Sequence, residues 1–168
     1  MARARRESRF DPYAILDALE RERVFYVLIG GLARVIEGSD ELTRGLDLTP
    51  STRPENLRRL EQALRRLNAR RSDRGDLSVE AFAAAPLIAL ESDHGEIKVV
   101  LTPEGTRGYE DLRRAARREP LGRGFRIEVA SPGDLVRMLS ALGRESDELK
   151  IETMRRVVEL DRGLRLER

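Results

Sequence analysis

The chain contains no cysteine. Disulfides, thiolate nucleophiles and cysteine–zinc sites are therefore excluded. It holds a single histidine, His94, which rules out multi-histidine metal sites and leaves a Ser-His-Asp triad only that one ring to draw on. No run approaches the ~20 apolar residues of a membrane-spanning helix. The basic start, MARARRESRF, has no apolar core behind it and so does not read as a signal peptide. The expectation is a cytoplasmic protein with no membrane partner. Lysine is almost missing: of 32 basic residues only Lys98 and Lys150 are lysine. Arginine's planar fork suits phosphate and carboxylate groups, but an arginine-rich chain also arises from genome base composition, and both explanations stay open at this point.

What the chain does have is a globular composition on 168 residues, enough to bury one real core. Its net charge of +2 gives it little basic character despite the arginines. Residues 1–10 read as a flexible basic arm and 11–168 as a single domain. Asp11 caps a first helix with Pro12 at its first position, and this helix ends near Arg23.

The organising stretch runs from Val24 to Pro50, VFYVLIGGLARVIEGSDELTRGLDLTP. Val24–Ile29 is a buried strand closed by Gly30 and Gly31. A short helix starts at Gly31 and breaks at Gly38-Ser39. Gly45–Thr49 is a second strand, with Leu46 and Leu48 on one face and Gly45, Asp47 and Thr49 on the other.

Pro54–Arg70 is the clearest helix, with a stripe of Leu57, Leu60, Leu64 and Leu67 and Ser51 or Thr52 as its cap, Glu55 completing a capping box if Thr52 is the cap. A polar loop (Arg70–Asp76) and a short helix (Val79–Pro86) follow. Leu87–Leu90 and Glu96–Leu101 are strands joined at Ser92-Asp93-His94-Gly95, where hairpin chemistry outweighs an Asp93–His94 acid–base pair. Next come an amphipathic helix over Tyr109–Arg118 and a strand over Phe125–Val129. A helix capped by Ser131 runs to Leu142 and stops at Gly143. The final helix covers Glu148–Leu160, with Ile151, Met154, Val157, Val158 and Leu160 inward. The order predicts an α/β (α+β) domain with a small mixed sheet flanked by helices.

These residues resemble the nucleotidyltransferase (polymerase-beta-like) superfamily, and within it the AbiEii-like group associated with toxin–antitoxin pairs. The family pattern is an apolar strand, Gly-Gly or Gly-Ser, nine to thirteen residues, then Asp-apolar-Asp-apolar. Here thirteen residues (Leu32–Arg44) separate Gly30-Gly31 from Gly45-Leu46-Asp47-Leu48. The second family aspartate falls on Asp47; the first falls on Gly45. The third, on a later strand, falls on Lys98. Towards the C-terminus Asp134, Leu135, Gly143, Arg144 and Asp147 match, while the usual lysine is Leu139.

The resemblance implies a nucleotidyltransferase fold, a nucleoside triphosphate ligand, and a tRNA or protein partner. It places nucleotide and phosphate contacts at Gly30, Gly31, Ser39, Thr43 and Arg44, and Lys98 joins them if its ammonium takes the place of a metal ion. It also implies Mg²⁺, because carboxylates from adjacent strands hold the ions that neutralise the transferring phosphate. With Gly45 and Lys98 at two of the three positions, Asp47 is the remaining metal ligand if the centre is active, and Glu96 is the residue able to compensate.

Three readings remain. The chain has lost metal-dependent transfer and keeps a nucleotide- or phosphate-binding cleft, in which Lys98 takes a metal's place beside Asp47. Or it is an active transferase using Asp47 and Glu96. Or Asp47 and Lys98 form a structural ion pair in a partner-binding module without a small ligand.

Overall fold

The computed structural model describes residues 9–167. Its seven strands form one mixed sheet in the order β3-β4-β5-β2-β1-β7-β6. The inner strands are β1 (Tyr26–Ile29), β2 (Gly45–Pro50) and β5 (Gly95–Val100). β1 runs antiparallel to β2, and β2 runs parallel to β5. β4 (Leu87–Ser92) pairs with β5, while β7 (Phe125–Val129) pairs in parallel with β1. The predicted class, a small mixed sheet flanked by helices, is the class observed.

The two faces of this sheet differ. Leu46 and Leu48 of β2, with Ile97 and Val99 of β5, are buried in the core. Across β1 both faces are covered, since Val27, Leu28 and Ile29 are all buried. This is why that strand is an unbroken apolar run rather than an alternating one. On the opposite face of β5, Glu96 and Lys98 are exposed, so the sheet is open there.

Helix α1 (Pro12–Arg21) starts as expected, with the Asp11 carboxylate accepting from the amides of Tyr13 and Ala14. It packs on α3 (Pro54–Arg66), whose Leu57, Leu60 and Leu64 are buried. Helix α2 (Gly30–Ile36) follows β1 directly and lies against β2. Helix α6 (Pro132–Leu142) is capped by Ser131 and ended by Gly143, whose φ of 63° only glycine adopts freely. It packs on α7 (Glu148–Leu166). Residues 1–8 of the expected arm lie outside the described residues. Phe10 packs over the β4–β5 turn, where a Cβ on Gly95 would meet its ring at 2.7 Å.

Several local expectations are corrected. The helix expected over Tyr109–Arg118 is one turn, α5 (Tyr109–Leu112), and the chain then enters β6 (Arg117–Gly122). The hairpin to β7 depends on positive φ at Gly122, Arg123 and Gly124, and Pro120 is tolerated because β6 is the sheet's edge. The polar loop after α3 forms the other edge strand, β3 (Arg70–Arg71). No capping box forms at α3: Arg53 is the N-cap and its side chain caps nothing. Instead, the buried Asn56 amide bonds Phe25 and Ser51 carbonyls and ties α3 to the sheet. Helix α7 runs past Leu160 to Leu166, and Leu160 is 68% exposed rather than inward. The short helix before β4 is α4 (Val79–Ala84), capped by Ser78. The Asp93–His94 pair does serve a turn: Asp93 accepts from Asn68, and the His94 carbonyl accepts from the Asp11 amide.

Candidate active-site cleft

The cleft lies where β1 ends, α2 begins, and β2 and β5 start side by side. Asp47 stands opposite Ile29 on one side and opposite Lys98 on the other. Its carboxylate leans over the β1–α2 junction. A Cβ on Gly30 would lie 2.4 Å from Asp47 Oδ2, and Gly30 has a φ of +74°. Both facts require glycine at this position. The first glycine of the Gly-Gly pair is therefore required by Asp47 as well as by the turn.

Asp47 is half-buried. Among the described residues its carboxylate makes no side-chain hydrogen bond and no ion pair within 4 Å. Burial raises its carboxyl above the usual range, Lys98 and Arg34 pull it back, and Glu96 pushes it further up. The register thus sets Lys98 beside Asp47 without the ion pair that a purely structural role would use.

Gly45 faces Glu96 across the strands. The approach is close: a Cβ at Gly45 would fall 2.7 Å from the Glu96 backbone oxygen and 2.9 Å from its Cβ. Any side chain here, a carboxylate included, requires the two strands to move apart. The donor set of the cleft is then Asp47, an exposed Glu96 and an ammonium. Among the described residues no three His, Cys, Asp or Glu side chains gather as a metal site needs. Mg²⁺ demands hard oxygen ligands in near-octahedral geometry, and these residues do not fit it.

The segment between α2 and β2 is held by a lock that the sequence did not reveal. Arg34 Nε and Nη2 donate to both oxygens of Glu41 at 2.8–3.2 Å. The Ser39 hydroxyl donates to Glu41 as well, at 2.9 Å. Burial alone would raise the Glu41 carboxyl, but Arg34, Ser39 and Lys150 together bring it below its ordinary value. Glu41 Oε1 lies 3.4 Å from the Cβ position of Gly31, so the lock abuts the second glycine. Of the residues assigned to phosphate contact, Ser39 serves this lock, and the Thr43 hydroxyl donates to the Gly45 carbonyl at 2.9 Å. Arg44 is exposed at the start of β2.

Beyond the lock, Asp147 is buried between α6 and α7 and paired with Arg144 at 2.6 Å and Lys150 at 3.4 Å. Arg34 and Glu41 sit seven residues apart across a loop, a spacing that carries no signal. Lys150 had one: it is the second of only two lysines.

No protein-family description matches this chain, and no curated protein matches it in sequence. Solved structures do. The lincomycin-bound lincosamide antibiotic adenylyltransferase LnuA superposes with a TM-score of 0.62 at 15% identity, over 92% of this chain and 98% of that one. The antibiotic-resistance factor ANT(2'')-Ia gives 0.59 at 16% identity, covering 87% and 80%. A Thermotoga maritima protein described as a nucleotidyltransferase gives 0.56 at 20%, covering 88% and 90%. This chain has the fold of these nucleotidyltransferase structures. No described helix is long and apolar enough to cross a membrane.

Proposed function

We propose that this protein uses a nucleotidyltransferase scaffold to bind a nucleoside triphosphate, or its phosphates, over Asp47, and that it has given up metal-dependent transfer. One observation carries this reading. At Gly45 the neighbouring strand has closed over the place where a first carboxylate would stand, with the Glu96 carbonyl 2.7 Å from any Cβ. The loss is therefore in the backbone as well as in the side chain. Lys98 opposite Asp47 adds a fixed positive charge where a third ligand would be. Transfer depends above all on stabilising charge at the phosphates, and one carboxylate beside an ammonium does not organise two ions for it.

Calorimetric titration with ATP, CTP, GTP and UTP tests the binding half, and absence of heat at millimolar nucleotide would refute it. Incubation with labelled nucleotides, Mg²⁺ and total tRNA tests the other half. Label transferred in an Asp47-dependent manner would show a working enzyme.

A second reading is favoured by the register itself. Glu96 is the cross-strand partner of Gly45 and exposed on the Asp47 face, so a carboxylate stands next to the position that lost one. In that reading Asp47 and Glu96 form a reduced metal centre, and transfer would fall with Glu96→Gln as steeply as with Asp47→Asn. A toxin–antitoxin or defence setting rests on the sequence resemblance, and co-purification with the products of neighbouring genes tests it.

A further inference from the structure

We propose that the cavity at the entry of β1 is a second ligand site, built for one nucleotide unit, with the base stacked on Phe25 and the phosphate held at Arg53. The site stands independently of the function proposed for the Asp47 cleft.

The cavity measures about 470 Å³ and lies between the start of α3, the entry to β1, α5 and β7. The register separates it from the cleft. Val27 and Thr49 stand opposite each other and are both buried, with Ile29 and Asp47 on the cleft side of them. Phe25 and Ser51 lie on the cavity side, and Ser51 is about 13 Å from Asp47 along an extended chain.

The chain has only four phenylalanines, three tyrosines and no tryptophan. Tyr13 and Phe125 pack on each other, Phe82 is fully buried, and Phe10 and Tyr26 pack against the core. The other two aromatic rings, Phe25 and Tyr109, both line this cavity. Exposure of a single ring would mean little by itself. Phe25, however, is 59% exposed on a backbone that is tied down. Its amide donates to Asn56 Oδ1 at 2.8 Å, and its carbonyl accepts from Asn56 Nδ2 at 2.9 Å and from the Ser51 amide at 3.0 Å. Such a ring stacks on a ligand with little further loss of chain freedom. Tyr109 is placed as firmly. It follows Gly108, where φ is +87° and a Cβ would meet the Leu101 carbonyl oxygen at 2.7 Å, and Leu112 anchors the same helical turn in the core.

The charges select the ligand. Six charged side chains line the cavity, and four of them are matched: Arg59 with Glu55 at 2.7 Å, and Arg113 with Glu110 at 3.4 Å. Arg53 and Glu128 remain, both exposed and without an ion pair within 4 Å among the described residues. Arg53 is the N-cap of α3, yet its side chain caps nothing. Its planar fork fits phosphate oxygens. Glu128 accepts N–H groups, and the Tyr109 hydroxyl, which makes no hydrogen bond among the described residues, can donate or accept. A nucleobase presents a π face and N–H donors in one plane, and its nucleotide carries the phosphate at one end, so one ligand answers all four groups. A hydrocarbon ring would leave the charges unmet, and a bare phosphate would leave the rings uncovered.

Calorimetric titration of the intact protein with AMP, adenosine and ribose 5-phosphate tests this site. AMP is expected to bind about tenfold more tightly than either fragment, or better. Phe25→Leu and Arg53→Gln should each weaken AMP binding about tenfold, the size of one lost stack or one lost charged hydrogen bond. Urea midpoints should hold in both variants, because both side chains are exposed. Arg53→Gln should leave adenosine binding as it was, and Asp47→Asn should leave AMP binding as it was. An adenylate tetranucleotide distinguishes the source of the nucleotide. Its binding through Phe25 and Arg53 assigns the unit to an RNA strand, its exclusion assigns a free nucleotide, and either result supports the site. No heat at millimolar AMP would overturn the proposal. So would AMP binding that Phe25→Leu and Arg53→Gln leave intact, and its loss in Asp47→Asn would then return AMP to the cleft.

Discussion

Helix α2 is bordered by three acid–base pairs, and they differ in how completely they are made. At its inner face Arg34 and Glu41 meet through two nitrogens and two oxygens. At its C-terminal end Glu37 has Arg117 at 3.5 Å and leaves Oε1 buried without a partner among the described residues. At its N-terminal end Asp47 and Lys98 are register partners that do not pair. A protein that buries or half-buries a charge normally completes its contacts, because a desolvated unpaired group costs free energy. Where the lock obeys that rule and the cleft does not, the cleft is the place built for something that arrives from outside.

The strongest way to break this comparison is to give the cleft the carboxylate it lacks. Gly45→Asp drives a Cβ to 2.7 Å from the Glu96 carbonyl. We expect a loss of about 3–5 kcal/mol, overpacking against backbone plus a poorly placed charge. Urea denaturation measures it. A variant as stable as the parent, gaining Mg²⁺-dependent transfer, would show that the strands part readily and that only the side chain was lost.

Next in size is the lock. Arg34→Met leaves Glu41 with Ser39 as its remaining side-chain partner. The pair keeps 11% and 17% of its side-chain surfaces exposed, so the cost sits below that of a fully buried pair, at about 2–3 kcal/mol. Adding Glu41→Leu should restore most of it, because the second change removes the orphaned charge. No recovery in the double variant would mean that the pair positions the loop in a way packing cannot replace.

The intermediate pair predicts a pH dependence. The Glu37 carboxyl is pushed up to about 7, first by burial and then by Glu119 and Asp161, with Arg117 pulling against them. A carboxyl raised in the folded state holds its proton there after the unfolded chain has released it. Its contribution is therefore complete below an ordinary value near 4.5 and is lost as pH climbs through about 7. The parent should lose about 1–3 kcal/mol between those limits relative to Glu37→Gln. Denaturation midpoints of the two proteins at pH 5 and pH 8 decide it, and parallel curves would refute it.

Much of this fold was legible because the signals were local. The apolar run before Gly30, the leucine stripe of α3, and the Ser131 and Asp11 caps each specify an element without help from elsewhere. The errors lie where tertiary contacts overrode local preference. Arg117–Gly122 has helical-looking neighbours but becomes an edge strand because the glycine turn at Gly122–Gly124 brings it back onto β7. Thr52 looked like a cap, yet Asn56 fixes the entry to α3 from inside. In the cleft, the family resemblance pointed to Asp47, Gly45 and Lys98, and the structure sets them on two neighbouring strands. The sequence held no trace of the Arg34–Glu41 lock, which exists only once the loop has folded, nor of the Glu96 carbonyl over Gly45. That contact is a strand separation, and a sequence carries no direct record of one.

The smallest expected effect is also the sharpest test of the comparison. Lys98 is exposed and unpaired among the described residues, so Lys98→Met should change folding stability by no more than about 0.5 kcal/mol, as an ordinary surface substitution does. The same change should weaken polyphosphate binding, because the charge removed faces Asp47 across the floor of the cleft. Stability and binding must therefore separate at this residue, whereas at Arg34 they must fall together. A loss of folding stability at Lys98 comparable to that at Arg34 would mean that Asp47 and Lys98 are a structural pair after all. The cleft would then differ from the lock only in geometry, and the argument for a ligand would lose its ground.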